Sequence, residues 1–113
     1  MKNLILTLIL LCPLVTFSQS PCKSDICVVQ FNANWNEAND VEWVDDLSDC
    51  GIKYIDIATD ADAATDYGIV VVPTIVVFNG KEVKRFQADI SFTMKATKKD
   101  VQAVIDEILM DSF

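Results

Sequence analysis

Sulfur is the most reactive material in this chain. Its four cysteines are Cys12, Cys22, Cys27 and Cys50. The chemistry open to them is thiol–disulfide exchange, in which a thiolate attacks a disulfide sulfur. There is no histidine at all. That removes the commonest general base and the commonest metal ligand together. A His-dependent hydrolase and a His-ligated metal site are excluded, and no metal or cofactor is expected. A second group of polar residues is rich in amides: Gln30, Asn32, Asn34, Asn36 and Asn39, gathered around Trp35. An amide cannot attack a disulfide. Asn36 has a plainer use, because Asn is among the best helix N-caps. Glu37 and Asp40 then suit the first turn against the helix dipole.

These groups need elements to hold them. Ile26-Cys27-Val28-Val29-Gln30-Phe31 is a nearly continuous apolar run with β-branched members, the pattern of a fully buried strand. The helix expected after it starts near Asn36. Val41, Val44 and Leu47 mark its inner face with Trp43 alongside, and Cys50-Gly51 closes it. Ile52 to Ile57 reads as a second strand and Asp60 to Tyr67 as a short helix ended by Gly68. A β-branched run follows with Pro73 inside it. Proline is excluded from a central strand, so the strand proper should run from Thr74 to Phe78. Asn79-Gly80 is a strong hairpin signal and leads into an antiparallel partner, Glu82 to Gln87. Thr97 is placed to cap a last helix, with Asp100 at the capping-box distance. Val101, Val104, Ile105, Ile108 and Leu109 keep the helical period. The order implies one small α/β domain with a central mixed four-stranded sheet flanked by helices.

The first residues read differently. Lys2, the apolar stretch Leu4 to Val15, and small residues Thr16 and Ser18 make a secretory signal peptide, 1–18, cut near Ser18. The domain is then 19–113. A lipid anchor on Cys12 is disfavoured by Leu11 before it and Pro13 after it. Export to the periplasm or outside the cell is expected, with no membrane span in the mature chain. The formal net charge is −8, which argues against nucleic-acid binding. The charge is uneven: Glu37 to Asp66 is acidic with Lys53 as its single cation, and Lys81 to Lys99 is basic. Two solvated faces are the expected meaning.

The residues Tyr67-Gly68-Ile69, Val72-Pro73-Thr74, Phe78-Asn79-Gly80 and Val83, with Ile55-Asp56-Ile57 and Val29-Gln30-Phe31-Asn32-Ala33-Asn34-Trp35, resemble the thioredoxin-like superfamily. The likeness runs from about Ile26 to Leu109, and the family's extra N-terminal strand and helix look absent. It implies a minimal thioredoxin fold with a cis bond before Pro73, and a groove where the backbone of Val72 pairs with an extended peptide. It also exposes a vacancy. The family's Trp-Cys-x-x-Cys stands here as Trp35-Asn36-Glu37-Ala38-Asn39. Gln30 replaces a buried Asp, and Asn32 replaces an active-site Trp. The recognition parts look retained while the redox parts do not.

The resemblance also places Cys22, Cys27 and Cys50 at the end of the sheet opposite the vacancy. In an exported protein a structural disulfide is the default. Cys50 with Cys22 or Cys27 is the expected pair, and Cys22 with Cys27 stays open. Asp89 to Ala96 is longer than the family pattern. Ile90, Phe92 and Met94 alternate there with polar residues, either as an apolar lip or strand or as core filling. The chain therefore reads as a module that binds an unidentified protein or extended peptide through Trp35, Asn36, Val72 and Pro73, and not as an enzyme. The competing reading is a thiol–disulfide oxidoreductase working through Cys22, Cys27 and Cys50.

Overall fold

The computed structural model describes residues 20–22 and 25–112. The signal-peptide reading, with Cys12, lies outside the described residues. Strand β1, Ile26–Asn32, is buried at every position, as its unbroken apolar run requires. It is central: the order across the sheet is β2-β1-β3-β4. Strand β2, Gly51–Asp56, runs parallel to β1, with Val28 opposite Ile52 and Gln30 opposite Tyr54. Strand β3, Thr74–Asn79, is antiparallel to β1. Strand β4, Lys81–Gln87, returns antiparallel to β3 with a bulge at Val77/Phe78. Gly80 alone makes the turn between them, at φ +80, a left-handed conformation that glycine adopts without steric cost. This is the expected mixed four-stranded sheet.

Alternation along β1 divides the core into two layers. Ile26 and Val28 join Ile75, Val77, Val101 and Ile105 on one face. Cys27, Val29 and Phe31 join Ile55, Val76 and Phe78 on the other. The second layer is covered by α1, Ala61–Asp66, which Asp60 caps through Ala63 N–H. The first layer has two covers. One is α2, Lys98–Asp111, opened by the capping box that Thr97 and Asp100 suggested: each side chain accepts a hydrogen bond from the other's backbone N–H. The other is the crossover between β1 and β2.

That crossover departs from expectation. No α-helix forms there. Two 3-10 helices, Asn34–Asn39 and Glu42–Asp46, take its place, and Asn36 is not a cap. The cause lies in β1. In an α-helix the Asp40 N–H would bond to Asn36 O. Here Asn32 Nδ2 donates to Asn36 O at 3.2 Å, and the Asp40 N–H turns to Glu37 O at 3.0 Å. Gln30 does the same to the next residue. Its Oε1 accepts from Val41 N–H at 2.7 Å and its Nε2 donates to Val41 O at 3.1 Å. Side-chain amides compete with helical bonds in this way. Val41, Val44 and Leu47 still face inward as the sequence suggested.

The disulfide expectation is also corrected. Cys22 bonds to Cys27, and Cys50 is free. The two layers explain it. Cys27 lies in the second layer, and Cys22 packs against that layer. Cys50 packs against the first. The sheet stands between Cys50 and both possible partners.

Candidate functional site

The candidate site is the end of the sheet where β1 enters the crossover. Asn32 is fully buried, Asn36 is 6% exposed and Gln30 is 5% exposed. Buried amides need partners, and these form a closed network. Asn36 Nδ2 donates to Asn32 Oδ1 at 3.0 Å, and Asn39 Nδ2 donates to Asn36 Oδ1 at 2.8 Å. Asn32 Nδ2 also donates to Asp40 Oδ1, as does the Tyr54 hydroxyl from β2. Asn36 and Asn39 thus come together with Asn32, joined by Asp40 and Tyr54, which the sequence did not single out for a site, while Gln30 bonds apart from them to the backbone of Val41. Their electrostatics oppose ionisation of the phenol. Burial, then Asp40 and its hydrogen bond, then Asp56 and Glu37, push the Tyr54 hydroxyl up to about 12.

No thiol stands in this network. It holds a surface instead. Trp35 projects from the first 3-10 helix with 64% of its area exposed. Phe92 meets it edge-on, ring centroids 5.5 Å apart and planes at 86°, a favoured aromatic geometry. The Asp89–Ala96 segment therefore answers both halves of its reading. Met94 packs on the first core layer, whereas Ile90 and Phe92 are exposed. No strand forms there. Phe92 sits at φ +62, a left-handed conformation uncommon for a bulky residue. A turn holds it: Phe92 N–H donates to Asp89 O at 3.0 Å, and Asp89 N–H donates to Thr93 O at 3.1 Å. The Asp89 carboxylate accepts from Ser91 and Thr93 and pairs with Lys95. Its pKa is lowered from 3.8 to about 2, by the Ser91 hydroxyl first.

The Val72–Pro73 peptide bond is cis. Both residues are buried, Val72 at 3% exposure, and Val72 packs in the second core layer. Among the described residues neither the N–H nor the C=O of Val72 meets a hydrogen-bond partner. Val70, two residues earlier, is 83% exposed. The cysteines lie elsewhere. Cys27 is fully buried in its bond to Cys22. Burial, then the Asp49 charge, raises the Cys50 thiol pKa, which lowers its thiolate fraction.

Known structures share this fold. A mutant thioredoxin from Halobacterium salinarum NRC-1 superposes at TM-score 0.59, with 22% identity over 74% of each chain. The chain has the thioredoxin-like fold. Schistosoma mansoni thioredoxin matches at TM-score 0.58, with 20% identity over 77% of this chain and 80% of its own. Fasciola hepatica thioredoxin matches at 0.53, with 27% identity over 73% and 79%. No family model and no curated protein matches the sequence. The minimal thioredoxin fold expected from residues 26–109 is the fold observed. No helix among the described residues is long and apolar enough to cross a membrane.

Proposed function

We propose that this thioredoxin-fold chain is an exported protein-binding module with no dithiol activity, cleaved near Ser18. The observation that carries the reading is the exposed Trp35–Phe92 pair standing over amides where a redox site would need thiols. Aromatic side chains at an exposed rim offer large, rigid contact area at low entropic cost. The partner is an extended segment of another protein. It lies across Trp35, Phe92 and Val70, and its backbone pairs with the N–H and C=O of Val72, which have no partner among the described residues. Since Val72 is buried, its backbone has to become accessible for that pairing. The alternative oxidoreductase role through Cys22, Cys27 and Cys50 draws no support from the geometry.

The test uses a permanently unfolded chain, reduced and carboxymethylated α-lactalbumin, titrated by calorimetry. The wild type should bind it, and Trp35→Ala should weaken binding by about tenfold, the scale of one aromatic anchor. The fold of the variant should be unchanged, because Trp35 is exposed. Equal binding by both proteins, or thiol-dependent reduction of insulin, would overturn the reading.

A further inference from the structure

The two edges of the sheet are not alike. Natural edges are protected by charge, bulges or cover, because a bare edge offers unpaired backbone groups to any passing strand. Strand β4 is protected. It carries Lys81, Lys84 and Arg85, and a bulge interrupts its pairing. Strand β2 has no bulge in its pairing and no strand beyond it among the described residues. Ile52 and Tyr54 stand exposed on it, at 38% and 45%. Both lie on the first face, opposite Val28 and Gln30.

On that face the crossover stops short of the edge and leaves a trough of about 370 Å³. Glu37, Asp40, Glu42, Asp45, Ile52 and Tyr54 line it. A second hollow of about 330 Å³ shares Glu37, Asp40 and Tyr54 and extends to Asp56. Among the described residues no ion pair engages Glu37, Glu42 or Asp45. Lys53 borders the trough, but its Nζ turns to Pro21 O at 3.4 Å. Burial first, and then the charges of Asp40, Asp56 and Glu37, raise the pKa of Tyr54 at the same place.

We infer that the outer edge of β2 is a strand-addition site for an extended cationic peptide, whose alternate side chains enter the acidic trough. An added strand would satisfy the edge backbone. Its side chains on the first face would cover Ile52 and Tyr54 and place Lys or Arg against Glu37, Glu42 and Asp45. Specificity by alternate side chains is the usual logic of such pairing. Charge decides against a second copy as occupant. Two β2 edges joined symmetrically would bring like carboxylates together, and Arg85 of β4 is already held by Glu82, Tyr67 O and Gly68 O. This surface adjoins the Trp35 rim through Asn34 and Asp40, but its occupant pairs with the edge of β2 and not with Val72.

The probe is an acetylated, amidated peptide alternating lysine with valine over about seven residues, the length of a strand. Titrated into the mature chain and followed by backbone amide shifts, it should perturb Gly51–Asp56 and Glu37–Asp46 and leave Trp35, Val70 and Phe92 still. N-methylation of the peptide at its edge-facing amides should weaken binding about tenfold, and N-methylation in the opposite phase should not. The paired change Glu42→Lys and Asp45→Lys, both exposed, should also weaken it about tenfold. Binding indifferent to N-methylation would reduce the site to unspecific charge attraction and overturn strand addition. Shifts centred on Trp35 would overturn the location. A dimer of the free chain joined through β2 would overturn the cationic occupant.

Discussion

Two covers lie side by side on the first face of the sheet, and they are made by opposite means. The C-terminal helix Lys98–Asp111 is self-made: a capping box opens it, its own hydrogen bonds hold it, and Val101 and Ile105 anchor it. The crossover from Ala33 to Cys50 buries a similar set, Val41, Val44 and Leu47, yet it is held from outside. Gln30 grips the N–H and C=O of Val41 from below. Gln102, on the helix, grips the N–H and C=O of Ser48 in the same two-point manner, at 2.9 and 3.1 Å. Equal burial therefore does not mean equal regularity. A segment whose backbone groups are met by side chains from elsewhere has no need of helical bonds. It can then hold Trp35 outward at a place where an N-capped helix start was expected.

The sharpest way to break this contrast is Gln30→Leu. It leaves two buried backbone groups of Val41 without partners, each costing roughly 1–3 kcal/mol, so urea unfolding should show a loss of about 3 kcal/mol. A smaller loss with stronger helical ellipticity would mean that the crossover becomes helical when released, and that its own bonds suffice. Thr97→Ala is the matched test of the helix. It removes one exposed cap and should cost about 1 kcal/mol, with the Trp35 environment unchanged. A Thr97→Ala loss equal to that of Gln30→Leu would erase the distinction between the two covers.

The smallest effect concerns the contact between the crossover and the loop that precedes the helix, Trp35 against Phe92. Asp89 ties the loop that presents Phe92, and its pKa falls from 3.8 unfolded to about 2 folded. A depressed carboxylate contributes stability that is fully present above the unfolded value and lost as pH falls through the folded one. The Trp35–Phe92 ring contact, followed by nuclear Overhauser effects, should persist above pH 4 and fade towards pH 2. Asp89→Asn should make it insensitive to pH across that window.

Which parts were legible follows from the range of the forces involved. The Thr97–Asp100 box and the Asn79-Gly80 hairpin are complete within a few residues, so sequence displays them. The central strand declares itself by an unbroken apolar run. Gln30 and Asn32 were legible as departures from the family, but their effect was not. Gln30 acts on a residue eleven positions away, and local preference at Asn36 pointed to a cap. The disulfide was misread for a related reason. Cys22, Cys27 and Cys50 share one end of the sheet, but the face each occupies depends on packing. Phe92 was visible as part of an apolar lip, whereas its contact with Trp35 needed two segments brought together by the fold.

The claim that β1 shapes the crossover is tested most directly by scalar couplings across hydrogen bonds in the isotope-labelled mature chain. The account predicts coupling from the Asp40 amide nitrogen to the Glu37 carbonyl carbon, and none to that of Asn36, whose oxygen is taken by Asn32. Coupling from Asp40 to Asn36, with Val41 coupled to Glu37 in place of the Gln30 side chain, would show a helix that holds itself and would contradict the account.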